Sequence, residues 1–337
     1  MDYRQLIQEQ KSELSELHTR MDEDAKLANL EDFVLRDVND KKVPRAISVT
    51  LNDTAVFAAH VESALGRAIE QIVVESEDKK VDTAYIEDAV RTALAAASNR
   101  LISRGDWPIN PYLDQQMCRR GRGAVRCLFR MENGVLIPDV VPWDTRYMYY
   151  SMGSDGLEWA AYEVKRSRAD IEAEYPEVKV SGKVATVLDI WSPEHNEVYI
   201  DGREVRSQPH PYGRVPVCFQ QVPLGSMLAD SGAIKHRGES IFFLIRDLVP
   251  ELNRLVSLIQ SLNQKELEHA LQWESEGGIT ATPPAYEELD SPGSVISVDK
   301  GGGIKPVPYG YLRQQAWLLH SMIETRIQRG SLSNFDY

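Results

Sequence analysis

Apolar residues recur along this chain with two different periods, and the switches between them mark its parts. Near the C-terminal end they fall at Ile245, Leu248, Leu252, Leu255, Ile259 and Leu262, a three–four alternation that puts the side chains on one stripe of a helix. A continuous helix is predicted from Pro250 to Gln272, about 34 Å long at about 1.5 Å per residue. Pro250 either starts it or kinks it, because proline lacks an N–H and its ring crowds the preceding turn. A second amphipathic helix, with Leu318, Leu319, Met322 and Ile323, is predicted over 312–329 and could run back along the first. Between them lies an acidic stretch rich in Pro and Gly. Two short strands are predicted in it, 295–298 and 304–307, the second confined to an edge by Pro306. Periodicity alone leaves two readings: a buried helix in a globular domain, or a helix pair that packs against copies of itself in a ring.

The N-terminal third also has the helical period. Residues 1–38 read as one amphipathic helix with Leu6, Ile7, Leu14, Leu17 and Met21 on one side. A second helix starts after Asn52 or Asp53 and carries Val56, Phe57, Val61, Leu65, Ile69 and Ile72. A third is bounded by Asp82 and Gly105, with Ile86, Val90, Leu94, Leu101 and Ile102. From about Gly121 the period becomes two. Residues 123–131 and 135–141 flank Asn133-Gly134 and read as a β-hairpin. Strands follow at 157–165, 184–191, 197–200, 203–206 and 215–220, with Asp201-Gly202 as a tight turn and Ser167 capping a short helix over 168–175. The middle third is therefore an antiparallel β unit with one small helix inserted, and the fold class is α+β.

Composition narrows the function. The chain has 337 residues, 42% hydrophobic and 26% charged, which suits a folded protein of two or three domains. No apolar run approaches the roughly 18 residues that cross a bilayer, and the polar start MDYRQLIQEQK is no signal peptide. Cys118, Cys127 and Cys218 form neither a disulfide framework nor a metal-ligand pattern, which points to synthesis in a reducing compartment. A net charge of −13 disfavours gripping nucleic acid through its phosphates, but a like-charged wall could enclose DNA and leave it mobile.

Chemistry is sparse. Lys300 precedes Gly301, Gly302 and Gly303, the reverse of a phosphate loop, so a hairpin turn is the simpler reading. Arg119, Arg120, Arg122 and Arg126 form a basic cluster that suits an acidic partner surface or phosphate, or else pairs with the chain's own carboxylates. None of the seven histidines stands in a metal-binding pattern, and no Gly-x-Ser-x-Gly elbow exists. No catalytic, metal or cofactor residue is nominated, and no enzyme is expected.

The order of parts resembles the tailed-bacteriophage portal proteins, the head-to-tail connectors. The features that carry it are the helical start, the β unit ending in Pro211-Tyr212-Gly213-Arg214-Val215-Pro216-Val217, and Gly238-Glu239-Ser240 before the long helix. Pro292-Gly293-Ser294-Val295-Ile296 and Gly330-Ser331-Leu332-Ser333-Asn334-Phe335 complete them. Architecture carries more of the match than any one residue. The resemblance implies a wing over 1–237 (helical 1–105, β unit 120–222), a descending stem helix over 238–276 and a clip over 277–309. A returning stem helix would cover 310–330, and 331–337 would begin a tunnel loop. Family members continue beyond that point, so a truncated portal is expected.

The resemblance also implies a homo-oligomeric ring, usually a dodecamer, at one capsid vertex of the virion, made in the host cytoplasm. Double-stranded DNA would pass through it without sequence-specific binding during packaging and ejection. Its partners would be the terminase large subunit, a head–tail adaptor or tail protein, the major capsid protein and itself, with no membrane and no cofactor. Leu248, Leu252, Leu255, Ile259, Leu262, Leu318 and Met322 are then expected to pack the stem within and between subunits. Glu274, Glu276, Glu287, Glu288 and Asp290 would form an acidic docking surface on the clip, with plain solubility as the alternative. Rival assignments are another oligomeric head–tail protein, such as an adaptor, and a hydrolase with a helical insert.

Overall fold

The structure, a computed structural model, describes the chain except for residues 1–2, 69–70, 79, 133, 268–270, 275–302, 307–313 and 332–337. Helices and antiparallel strands alternate in blocks, so the fold is α+β. The chain divides into two compact units: Met1–Glu31 with Asn52–Arg246, and Asp32–Leu51 with Asp247–Tyr337.

The first unit is layered. Its larger sheet has five strands in the order β3-β4-β5-β6-β7: β3 Met148–Gly153, β4 Gly156–Ser167, β5 Val184–Trp191, β6 His195–Ile200 and β7 Arg203–Pro209. Alternation along these strands gives the sheet two apolar faces. On one, Tyr149, Trp159, Ala161 and Ile190 receive Ile7 of α1 (Tyr3–Glu13). On the other, Ala185, Val187, Val198 and Ile200 receive Ile171 and Tyr175 at α6 (Arg168–Glu174). Ser167 caps α6 through its side-chain oxygen, as the sequence implies. The Asp201-Gly202 turn has φ of 46° and 79°, the left-handed pair that a two-residue hairpin demands.

The expected hairpin pairing also forms, with β1 (Arg122–Glu132) against β2 (Val135–Trp143) and Gly134 at a φ of 80° between them. It belongs to a second sheet, β2-β1-β8, because β8 (Val217–Gln221) returns to the free edge of β1. The expected single β unit is therefore two sheets. Ala124, Leu128, Trp143 and Val217 of the smaller one, with Val215 just before β8, pack with Met148, Ala160 and Trp191 of the larger. The outer face of the smaller sheet is covered by Ala97 and Leu101 of α4 (Thr83–Ser103) and by Ile109 and Leu113 of α5 (Ile109–Arg120). Periodicity gave no sign of α5: it has few apolar residues and contains Pro111. That proline lies in the first turn, where its missing N–H costs nothing.

The N-terminal region departs from expectation. In place of one helix over 1–38 there are α1 and α2 (Ser15–Ala28), interrupted at Leu14. Leu30 adopts φ 51°, a left-handed residue past which a helix cannot propagate. α3 (Asp53–Leu65) follows at the expected place.

The second unit contains α7 (Leu248–Leu267), α8 (Gln314–Gly330) and a two-stranded sheet of β9 (Leu271–Glu274) with β10 (Gly303–Pro306). Pro250 lies in the first turn of α7 and starts it rather than kinking it. The described part of α7 runs to Leu267, and Gln272, expected to close the helix, is instead paired with Lys305 in the sheet. The 20 residues of that part span about 30 Å. The strand expected at 295–298 lies outside the described residues.

Candidate assembly surface and its buried support

α7 has a polar stripe the sequence did not advertise. Asn253, Ser257 and Ser261, four residues apart, are buried at 5%, 0% and 9% exposure. They accept hydrogen bonds from the backbone N–H groups of Leu51 (3.0 Å), Val49 (2.8 Å) and Ile47 (2.9 Å). Two extended residues advance roughly 6.6 Å and four helical residues roughly 6.0 Å, so an extended arm stays in register with one helix face for three steps. Ser257 and Ser261 pass their own hydroxyl protons to carbonyls one turn back, Asn253 O and Ser257 O. The arm folds on itself, with Thr50 and Ser48 hydroxyls accepting from the N–H groups of Phe33 and Leu35.

Among the proposed stem residues, Leu252 is buried, while Leu248, Leu255, Ile259 and Leu262 are half-buried. α8 lies against α7 with Ile323 and Ile327 buried. Its other face is apolar and open: Leu318 and Met322, one turn apart, are 63% and 52% exposed, flanked by exposed Trp317 and Leu319. Of the proposed docking carboxylates, Glu274 ends β9, and Glu276, Glu287, Glu288 and Asp290 lie outside the described residues.

The four arginines are all engaged within the first unit. Arg119, in the last turn of α5, makes a two-pronged pair with Glu62, at 2.7 and 3.1 Å. Arg120 donates to Met21 O at 2.7 Å and to Asp144 at 3.2 Å. Arg122 and Arg126 share the face of β1 that carries Ala124 and Leu128, so they project between the two sheets and need internal partners. Arg122, 3% exposed, donates to the Tyr150 hydroxyl and to Arg237 O, and burial lowers its pKa. Arg126 bridges Asp189 at 3.1 Å and Asp139 at 3.2 Å. It lines a charged cleft of about 810 Å³, walled by Trp143, Tyr162 and Tyr175.

Sequence reasoning missed the densest charge cluster, which forms around Gly238-Glu239-Ser240. Glu239 (1% exposed) takes Arg20 at 2.8 Å, Arg246 at 2.6 Å and His236 at 2.7 Å; Arg246 also clasps Asp24 (0% exposed) at 2.6 and 3.0 Å. Burial pushes the Glu239 carboxyl up, but the Arg246 hydrogen bond, the Arg20 charge and the His236 hydrogen bond together hold it below the ordinary carboxylate value. Burial pulls Arg246 down, and the bonds to Asp24 and Glu239 more than reverse that. Gly238 (φ 63°) faces Gly121 (φ 71°) so closely that a Cβ on Gly121 would stand 2.0 Å from Gly238 O. The Ser240 hydroxyl, fully buried, accepts from Phe242 N–H. Each of the three residues thus has its own physical duty, and nothing in their spacing betrays it.

Among the described residues the histidines share no common site. His18 is buried between arginines, and desolvation with the Arg146 charge lowers its pKa to about 4, keeping it neutral. His210 bonds Ser192 O, and His320 lies near Glu324. Among the described residues no group of three or more His, Cys, Asp or Glu could hold a metal ion, and no helix is long and apolar enough to cross a membrane.

No protein-family model and no curated protein matches this chain. Three solved structures of a gene transfer agent (GTA) particle are similar to it in part. A chain in the virion of the native particle is 14% identical over 83% of this chain and 63% of its own length, with a TM-score of 0.46. One in the neck of the empty particle, computed with C6 symmetry, is 12% identical over 85% and 68%, with a TM-score of 0.48. One in the neck of the native particle, computed with C12 symmetry, is 13% identical over 82% and 73%, with a TM-score of 0.35. The chain thus spans less than two thirds of the first of these.

Proposed function

We propose that this protein is a structural, non-enzymatic subunit of a phage-type portal ring that conducts double-stranded DNA. In this reading residues 1–237 are the wing, α7 and α8 the stem, and 277–309 the clip, which docks terminase during packaging and a head–tail adaptor or tail protein afterwards. The order of sequence elements supports the reading, and one observation carries it. α8 already uses one face against α7, yet its other face presents Leu318 and Met322 to solvent. An apolar strip on the back of a packed helix suits burial by a neighbour. A strip meeting a different surface on the next copy makes a heterologous contact, which closes only as a ring. The net charge of −13 suits a lumen that lets DNA slide.

Mass photometry tests the proposal. The wild-type protein should give particles of many 38.1 kDa subunits, and the double change Leu318→Asp, Met322→Asp should give single chains with an unchanged melting transition. Assemblies of unaltered size in the variant would remove α8 from the interface, and a monomeric wild type would remove the ring.

A further inference from the structure

The first unit leaves two apolar patches open, and they carry opposite charge. The first is on α4. None of its residues 83–96 is buried, although nine of the fourteen are Ala, Val, Ile, Leu or Tyr. Ile86, Val90 and Leu94 are exposed, whereas Ala97 and Leu101 are buried. At about 100° per residue these five positions fall within an arc of about 80°. One apolar stripe therefore packs beside Val140 of β2 at its C-terminal end and runs on uncovered towards its N-terminal end. A helix of that length is marginal in water without tertiary support. Its surroundings are acidic: residues 75–91 hold six carboxylates and three cations. The second patch is the loop over 224–237, which exposes Leu224, Leu228 and, at 82%, Met227. The neck of this loop is closed. Ser226 N–H donates to His236 O at 2.9 Å, and Glu239 N–H donates to Leu224 O at 3.0 Å. Gly225, at a φ of 99°, abuts His236 O where no Cβ fits. Leu228 N–H donates to the Ser226 hydroxyl oxygen at 3.2 Å. Lys235 and Arg237 outnumber Asp230, so the loop is basic in an acidic chain.

We propose that this loop seats on the open α4 stripe of the next copy of the chain, with Met227 and Leu228 against Ile86, Val90 and Leu94. The proposal rests on the ring reading and adds to it a contact made by the first unit. Both patches stay exposed within one chain, so neither covers the other there. A net charge of −13 makes copies of the chain repel one another. A basic loop meeting the acidic flank of α4 turns that repulsion locally into attraction and fixes which surfaces meet. The two patches differ, so each copy offers one and receives one, a heterologous contact that closes as a ring. The closed neck holds Met227 and Leu228 out in advance, which lowers the ordering cost of docking. The unbranched methionine adapts to the uneven stripe.

Mass photometry and cross-linking of the full chain test the contact. Val90→Asp and Met227→Asp change positions that are exposed in the single chain, so both variants should melt with wild type. Each should need roughly tenfold more protein than wild type to assemble by half. Adding Met227→Lys to Val90→Asp should recover most of that loss. Val90→Cys combined with Met227→Cys, in a Cys218→Ser background, should give a ladder of covalent oligomers with a short bismaleimide, and neither substitution alone should. Aspartate variants that assemble at the wild-type concentration, an assembled double-cysteine variant without a ladder, or a covalent dimer from either substitution alone would overturn this contact and leave the ring standing. A monomeric wild type would overturn the ring and this contact together.

Discussion

Replacing Glu239 with Gln is the sharpest probe of how the first unit is held together. The amide has nearly the same shape but carries no charge. Arg246 would keep Asp24, at 2.6 and 3.0 Å, but Arg20 would lose its carboxylate while 4% exposed. Leaving one member of a buried pair uncompensated costs about 3–5 kcal/mol. For a unit of this size each kcal/mol lowers Tm by about 2–4 °C, so the variant should melt roughly 6–20 °C below wild type near neutral pH. The pH dependence has a defined sign. The folded-state pKa of Glu239 lies below the ordinary value, so its contribution is complete above the unfolded pKa of about 4.3 and is lost as pH falls through the folded value. The gap between wild type and variant should therefore close in acid. Thermal melts followed by circular dichroism across that range measure it, and Arg20→Met added to Glu239→Gln should cost less than the sum of the two changes. A Gln variant that melts with wild type at neutral pH, or a gap that persists unchanged in acid, would refute the reasoning.

Two further changes test the backbone arrangement. Gly121→Ala should prevent stable folding, because its Cβ would stand 2.0 Å from Gly238 O at a φ of 71°; soluble expression with a wild-type melting curve would contradict the close approach. Ser257→Val should orphan the Val49 N–H at a cost of about 1–3 kcal/mol, read as faster amide exchange at Ile47, Val49 and Leu51; exchange matching wild type would dissociate the arm from α7.

Local chemistry was legible wherever a residue's duty is set by its neighbours in sequence. Ser167 capping α6, Asp82 capping α4 and the two-residue turn at Asp201-Gly202 all follow from short-range rules. The arginine cluster shows where this stops. Its positions are visible, but whether Arg126 meets solvent or two carboxylates depends on Asp139 in β2 and Asp189 in β5 arriving beside it. The polar stripe of α7 was hidden for a related reason: serine and asparagine on a helix read as its wet side until an arm from residues 47–51 covers them.

The sequence by itself determined the α+β class, most helix and strand positions and the hairpin registers, because periods of 3.6 and 2 and the dihedral needs of turns are properties of adjacent residues. Only the tertiary structure decided that the strands divide into two sheets, that Gly238 backs onto Gly121, and that Glu239 gathers Arg20 and Arg246. These pairings join residues about 120 to 220 positions apart, except for Arg246 close by in sequence. Their free energy comes from desolvated partners that meet only when the layers close, and no local pattern encodes such a meeting.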